Sequence, residues 1–282
     1  MSLMSKLLMS TLIATIALSA NTDKSNSLSN NKELLKYIKR NIVKNPQVKV
    51  KRIEVIETKT HKELPGWQIL LTNMDLEYHG KDIKAPEMIF IKDGLATGHL
   101  VSLKNGHDYR EDIKPTVPKT MYDEAHLLYG NKDAAHKVLV FSDPMCPFCQ
   151  EVVPGIIKAA KEHPNKIALY YYHLPLLRIH PVSGILTRIM HVAQEEGKKE
   201  IIEKMYTLKI DPKVTDMTKV LAKVKDHTGY SVSAAKVDDP AVKDALKRDQ
   251  DAAVRLMVSG TPTVYIDGAW DKMRDGYKKL IK

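Results

Sequence analysis

Hydrophobic and polar positions follow different periods in the first and second halves of the chain. After residue 31, apolar residues recur at helical spacing until Asn45 and Pro46 end the pattern. Four short stretches then have the composition of antiparallel strands, and they lie near residues 48–55, 67–71, 88–91 and 99–103. We therefore predict a small α+β domain of one helix and about four antiparallel strands over residues 31–113.

The second half has the pattern of an α/β domain. Residues 138–141 form a continuous apolar run, which is typical of a strand covered on both faces. A helix-length segment separates this run from the strand predicted at 167–172, so we expect the two strands to be parallel. A mostly helical region follows from about 178 to 258, and a further strand is predicted at 263–266.

Two prolines mark the boundary between the halves, at Pro115 and Pro118. The residues after them are compatible with a short helix, so residues 114–130 are predicted to form a semi-rigid linker helix. The C-terminal α/β domain is then predicted over residues 131–282, with the helical region as a long insertion.

The first 20 residues have the organisation of a secretory signal peptide. One basic residue, Lys6, precedes an apolar run over residues 7–18, and small residues follow at Ser19 and Ala20. The apolar run is shorter than the roughly 20 residues that cross a bilayer, and an uncleaved membrane anchor is the alternative. Residues 21–30 are polar and are predicted to be a tether. We therefore expect the protein to be exported.

Composition restricts the class of protein further. Hydrophobic residues make up 43% of the chain and charged residues 28%, so the chain can form cores and is neither disordered nor a multi-span membrane protein. The formal net charge of +10 could attract nucleic acid. The sequence has no zinc finger, basic helix or aromatic RNA-binding motif, however, and we expect no nucleic-acid partner.

The candidate chemistry lies in the only two cysteines of the sequence, Cys146 and Cys149. They follow the apolar strand and open the next predicted helix, where unpaired backbone N–H groups stabilise a thiolate and lower its pKa. Pro147 fits the first turn of such a helix. Cys149 lies one turn further and deeper, so we expect Cys146 to attack a substrate disulfide and Cys149 to resolve the mixed disulfide.

Two other interpretations of this cysteine pair are weaker. Half of a zinc site would need a second pair of ligands at suitable spacing, which the sequence lacks. A static structural disulfide would close a loop of only four residues and would constrain little chain entropy. We therefore predict a redox-active pair that needs neither a metal nor another cofactor.

A second signal is the dipeptide Thr261-Pro262, which directly precedes the last predicted strand. Proline is tolerated at the first position of a strand, so the dipeptide could simply start it. Alternatively, a cis bond beside Cys146 would leave the Thr261 backbone free to pair with an extended substrate. Nearer the cysteines, Asp143 is expected to cap the turn before them, and His180 is a weaker candidate neighbour of the site.

The sequence Phe-Ser-Asp-Pro-Met-Cys-Pro-Phe-Cys at 141–149, read together with Gly-Thr-Pro at 260–262, resembles the periplasmic Dsb proteins of the thioredoxin superfamily. It is most similar to the DsbC/DsbG group of disulfide isomerases and reductases. The resemblance implies a cystatin-like N-terminal dimerisation domain over residues 31–113, a linker helix and a C-terminal thioredoxin-like domain. It also implies a homodimer, and it implies active-site support for the two cysteines from Pro147, Phe148, Thr261 and Pro262.

The function implied by the resemblance is a periplasmic thiol:disulfide oxidoreductase that isomerises or reduces incorrect disulfides. Its partners would be unfolded or wrongly disulfide-bonded secreted proteins and a membrane redox partner that resets the cysteine pair. The helical insertion at about 178–258 looks longer than in that group and closer to DsbA-type oxidases. The alternative is therefore a dimeric oxidase that introduces disulfides, and a client-binding chaperone without a redox role is a third hypothesis.

Overall fold

The structure of the protein is a computed structural model that describes residues 32–282. The predicted signal peptide at 1–20 and the tether at 21–30 lie outside the described residues and stay predictions. Within residues 32–282, no helix has both the length and the apolar character needed to cross a membrane.

The N-terminal domain is one helix on a four-stranded antiparallel sheet. Its elements are α1 (Lys32–Tyr37), which continues as a π-helical turn (Ile38–Ile42), and the strands β1 (Val48–Lys59), β2 (Gln68–Tyr78), β3 (Lys81–Lys92) and β4 (Leu95–Thr97). The strands are ordered β1-β2-β3-β4. Along β2, Leu70 packs under α1, whereas Ile69 and Leu71 face a second apolar cluster on the other side. The predicted helix and antiparallel strands are therefore present.

The fourth strand is not where the sequence analysis placed it. Residues 99–103 contribute only an isolated bridge between Val101 and Asp108, and β4 lies earlier. The reason is the tight turn at Asp93 and Gly94, both with positive φ, which reverses the chain directly after β3. Pairing of the returning chain with β3 therefore ends before residue 99.

The predicted linker helix over residues 114–130 is wrong. Only Lys119–Met121 form a short 3₁₀ turn, and Leu127–Tyr129 form a strand, β5. The Val117 N–H donates to the carbonyl of Gly268 at 3.0 Å, so this segment is bonded to the C-terminal domain. Proline fixes φ and disfavours helix in the residue before it, and the edge of the neighbouring sheet offers β5 a partner. The segment is therefore part of the C-terminal domain and is not a spacer.

The C-terminal domain is a five-stranded sheet with helices on both faces. After β5 its elements are β6 (His136–Ser142), α2 (Pro147–Glu162), β7 (Ile167–His173), α3 (Ser183–Glu195), α4 (Glu200–Met205), α5 (Met217–Thr228), α6 (Ala234–Val237), α7 (Pro240–Arg255), β8 (Thr263–Ile266), β9 (Ala269–Asp271) and α8 (Tyr277–Leu280). The strand order is β5-β7-β6-β8-β9. Strands β6 and β7 are parallel, as predicted, and the other pairs are antiparallel.

The central strand β6 divides the core of this domain. Val138 and Val140 face the cluster that contains α2 and the helical insertion, whereas Leu139 and Phe141 face the cluster that contains part of α7. All four side chains are fully buried. The continuous apolar run therefore reflects a strand covered on both faces, and the helices α3 to α7 confirm the predicted insertion.

The two domains contact each other next to the loop that precedes β8. Met257 packs against the second apolar cluster of the N-terminal domain, which includes Phe90 and Ile113. Lys272 of the C-terminal domain also forms an ion pair with Asp112 of the N-terminal domain at 2.6 Å. These contacts place the N-terminal sheet beside the candidate site.

Candidate active site

Cys146 lies at the end of the turn that connects the strand β6 to the helix α2. It is the N-cap residue of α2, and Pro147 occupies the first turn, where a missing N–H leaves no hydrogen bond unmade. The Cys146 N–H donates to the Asp143 carbonyl at 3.1 Å, which closes the turn before the helix. Both cysteines are free thiols, and their exposed fractions are 5% for Cys146 and 0% for Cys149.

The surroundings of Cys146 favour its thiolate. They lower its pKa from 9.0 to about 5, chiefly through a hydrogen bond from the Cys149 thiol and against the opposing effect of burial. The Thr261 side chain and the backbone N–H groups of Cys149 and Phe148 contribute in the same direction. Cys146 is therefore ionised at neutral pH and able to act as a nucleophile.

Cys149 has the opposite character. Burial raises the pKa of its thiol far above the ordinary value, and the neighbouring Cys146 raises it further. The two cysteines thus divide into an ionised thiol at the helix terminus and a protonated thiol beneath it. This asymmetry is what a nucleophile and a resolving thiol require.

The loop before β8 lies directly against Cys146. The Thr261-Pro262 peptide bond is cis, and the Cys146 sulfur lies 3.3 Å from the Thr261 carbonyl oxygen. The prediction of a cis bond beside the cysteine pair is therefore confirmed. On the open side of the site, the Phe148 ring is 61% exposed and lies 5.9 Å from the Arg274 guanidinium.

Asp143 forms the rigid base of the turn that carries the cysteines. Its carboxylate is fully buried and accepts from the Met145 N–H at 2.8 Å, which is the expected cap of the turn. It also accepts from the Leu176 N–H at 2.8 Å and from the Ser183 hydroxyl at 2.6 Å. His180 lies 3.0 Å from the same carboxylate. Asp143 therefore fixes the turn to the start of the helical insertion, a role that the sequence analysis missed.

Three buried hydroxyls behind Cys149 were also missed. Ser142 is the last residue of β6, and its hydroxyl lies 2.6 Å from that of Tyr206, which in turn lies 2.7 Å from that of Tyr171. Ser142 and Tyr206 are 64 positions apart, and each tyrosine occupies an apolar core position. No signal in the sequence pattern could have joined them.

A groove runs along the cis-proline loop and is lined by both domains. Its volume is about 740 Å³. Thr261, Pro262 and Trp270 line it from the C-terminal domain, and Met88 and Ile113 line it from the N-terminal domain. The groove leads to the loop that touches Cys146, so a polypeptide could reach the thiolate along it.

The reacting groups available here are thiols. Within residues 32–282, no three histidine, cysteine, aspartate or glutamate side chains are grouped so as to hold a metal ion. A low-pKa thiol can attack a disulfide sulfur, and a second thiol within reach can release the product as a thiol. The arrangement is thus suited to thiol–disulfide exchange.

The family model described as a DSBA-like thioredoxin domain matches residues 137–280. The chain belongs to the DsbA-like thioredoxin domain family. The match runs from β6 through both cysteines and the helical insertion to the end of the chain's last helix. The predicted Dsb-type thioredoxin domain is therefore confirmed. The narrower assignment to the DsbC/DsbG group, and the cystatin-like nature of the N-terminal domain, stay predictions.

Several solved structures are similar to part of this chain at low sequence identity. BdbD from Bacillus subtilis is 14% identical, with a TM-score of 0.47 over 60% of this chain and 97% of that chain. The catalytic domain of Proteus mirabilis ScsC is 20% identical, with a TM-score of 0.44 over 57% and 90% of the two chains. Among curated proteins, the Na(+)/H(+) antiporter NhaA 3 of Salinispora tropica is 22% identical over 147 residues, which are 49% of this chain. The match spans only 21% of that antiporter's length.

Proposed function

We propose that the protein is an exported thiol:disulfide oxidoreductase that isomerises or reduces incorrect disulfides in other secreted proteins. The observation that carries the proposal is the opposite ionisation of two thiols one helical turn apart, with the low-pKa thiol of Cys146 against the cis-proline loop. Membership in the DsbA-like thioredoxin family supports it.

The reaction begins when the Cys146 thiolate attacks one sulfur of a client disulfide. A bond forms between Cys146 and the client, the client disulfide breaks, and the second client sulfur leaves as a thiolate that takes up a proton. If this released thiol attacks another client disulfide, the client is isomerised and Cys146 is regenerated. If Cys149 attacks the Cys146 sulfur instead, the client leaves reduced and the two cysteines become a disulfide.

A dimeric oxidase is the second candidate, and a specific observation favours it. The lowered pKa of Cys146 stabilises the reduced form of the pair, and a stabilised dithiol makes the corresponding disulfide a stronger oxidant. In that direction, the Cys146–Cys149 disulfide accepts two electrons from a client dithiol. Trapping the thiols in living cells separates the candidates, since a mostly reduced pair supports the isomerase or reductase and a mostly oxidised pair supports the oxidase.

The proposal extends to location and assembly. Export would place the protein in the periplasm, with a membrane redox partner that resets the pair. The outer strand β1 is 12 residues long and lies at the edge of the N-terminal sheet, and the edge of a sheet can pair with a second copy. We therefore propose a homodimer through residues 31–113. Light scattering tests this, and a monomeric full-length protein overturns it.

The roles of the two cysteines are tested by covalent trapping. Cys149→Ala removes the resolving thiol, so mixed disulfides between Cys146 and secreted proteins should accumulate and be visible on non-reducing gels. Cys146→Ala is the matched control and should trap nothing, because the remaining thiol is buried and protonated. The reverse pattern, or no trapping by either variant, contradicts the proposed function.

A further inference from the structure

Arg274 lies beside the cysteine pair without an anionic partner of its own. It belongs to the turn after β9, where its N–H donates to the Asp271 carbonyl at 3.1 Å. The Asp271 carboxylate accepts from the Gly276 N–H at 2.8 Å and is part of the same turn. Within residues 32–282, no carboxylate pairs with the Arg274 guanidinium, which lies 5.9 Å from the centre of the Phe148 ring. Arg274 is therefore a partly buried cation that is able to bind an external anion.

The other cations of the groove between the domains are already occupied. Lys272 pairs with the Asp112 carboxylate at 2.6 Å, and Arg110 pairs with the Glu87 carboxylate at 2.7 Å. The Lys114 ammonium donates to a backbone carbonyl at 2.7 Å. Cationic side chains outnumber acidic ones in the lining, which contains Arg110, Lys114, Lys272, Arg274, Asp108 and Glu111. The charge of the groove thus favours an anion, and Arg274 is the cation left to receive it.

The backbone of the turn does not account for an arginine at this position. Arg274 has a φ of +61°, in the left-handed region that favours glycine or asparagine. Its guanidinium forms no hydrogen bond that would hold the turn together. A long charged side chain on such a backbone points to a role outside the turn.

The groove would bring Arg274 next to a client that reacts with Cys146. Arg274 lines the groove together with Thr261 and Pro262. The Cys146 sulfur lies 3.3 Å from the Thr261 carbonyl oxygen, so a client segment bonded to this sulfur would pass along the same groove. Side chains that flank the reacting cysteine of the client would then come within reach of the guanidinium.

We propose that Arg274 selects clients that carry an acidic side chain next to the reacting cysteine. The inference rests on the proposed function and deepens it, because it names a property of the client. A guanidinium binds a carboxylate through two parallel N–H groups, and the Phe148 ring leaves these groups unused. The pairing also offsets the repulsion between an acidic client and the Cys146 thiolate. The formal net charge of +10 attracts such clients at longer range.

The test uses the full chain in its reduced form and peptides activated as 2-pyridyl disulfides. The peptides are identical except at the second position on each side of their single cysteine, which holds Glu, Gln or Lys. The Cys146 thiolate attacks the peptide sulfur, the bond to the pyridyl sulfur breaks, and the leaving group takes up a proton as pyridine-2-thione. Stopped-flow absorbance follows its release. Charges on both sides of the cysteine make the result independent of the direction in which the peptide lies.

The Glu peptide should react about three times faster than the Gln peptide, and the Lys peptide about three times more slowly, as one partly exposed ion pair requires. Arg274→Gln should lower the ratio of the Glu rate to the Lys rate from about ten to about one or below, and Arg274→Glu should reverse the order. Each ratio compares peptides on one variant, so a general change in the reactivity of the thiolate cancels. Added salt should reduce the ratio of the wild-type protein.

Lys279→Gln and Lys279→Glu are the matched controls, because Lys279 is an exposed cation on α8 that does not line the groove. They change the net charge equally and should keep the wild-type order of the peptides. Equal rates for the three peptides with the wild-type protein overturn the inference, and this measurement needs no variant to fold. A ratio that survives in Arg274→Gln, or that falls equally in Lys279→Gln, overturns it as well. If Cys146 reacts with none of the peptides, the proposed function fails, so the two failures are distinguishable.

Discussion

The lowered pKa of Cys146 makes the stability of the reduced protein depend on pH, and one substitution isolates this dependence. In the folded protein the pKa of Cys146 is about 5, whereas an unfolded cysteine has a pKa of about 8.5. Because the folded value is the lower one, the contribution is fully present above the unfolded pKa and is lost as the pH falls through the folded pKa. Between these values the unfolded state binds one more proton, so the free energy of unfolding rises with pH.

The size of the effect follows from the linkage relation. One proton corresponds to about 1.4 kcal/mol per pH unit, or about 2.7 kcal/mol between about pH 6 and about pH 8. The site is open to solvent on the side of the exposed Phe148 ring. Solvent screens the thiolate and so reduces the difference between the folded and unfolded pKa values of Cys146. We therefore expect a gain of about 2 kcal/mol over this interval.

The assay is urea unfolding of the wild-type protein and of Cys146→Ser under a reductant, followed by circular dichroism across this pH range. Serine does not titrate there, and Cys149 stays protonated because burial raises its pKa. Histidines and carboxylates are common to both proteins and cancel in the difference. The stability of the wild type relative to Cys146→Ser should grow by about 2 kcal/mol from about pH 6 to about pH 8. A difference that does not change with pH would falsify the assignment of Cys146 as the low-pKa thiol.

Two further predictions concern stability away from the reacting atoms. Asp143→Asn should destabilise the protein by about 3 kcal/mol, measured by thermal unfolding, because an amide presents N–H groups to buried donors; an unchanged melting temperature contradicts the role assigned to this carboxylate. Gly130→Ala should also cost about 3 kcal/mol, because φ is +84° and a Cβ would lie 1.9 Å from the Ile167 carbonyl oxygen. Gly197→Ala, at φ +75° with open space around it, is the control and should cost about 1 kcal/mol; equal losses in the two variants would mean that the contact with Ile167 is not the cause.

The parts of the fold that the sequence predicted are those determined by many consecutive residues. The four apolar residues at 138–141 predict a strand buried on both faces, and Pro147 marks the start of the helix after it. The segment at 114–130 could not be predicted in this way. Its strand, Leu127–Tyr129, has three residues and exists because the strand Ile167–His173 is there to pair with it.

The same distinction, between features set by neighbouring residues in the sequence and features set by tertiary contacts, applies to the candidate site. Cys146 and Cys149 are three positions apart in the sequence, and the resemblance of their surroundings to Dsb proteins brought Thr261-Pro262 into the prediction. Tyr206 lies in the helical insertion, far along the chain from the cysteines. In the sequence it looks like any tyrosine of the core, and only the structure shows that its hydroxyl contacts that of Ser142. Contacts made by tertiary packing alone leave no periodic trace in the sequence.

The position of the N-terminal domain changes how a client would reach Cys146. A linker helix would hold the domains apart, whereas the contacts of Met257 with the N-terminal cluster and of Lys272 with Asp112 hold them together. The groove beside the cis-proline loop therefore has one wall from each domain. Under the proposed function, a client segment paired with the Thr261 backbone would lie against Ile113 as well, so the N-terminal domain would contact the client within a single chain. Selection of clients by this domain would then not depend on a second copy, and the proposed dimer would add a second thiolate to a groove that each chain already forms.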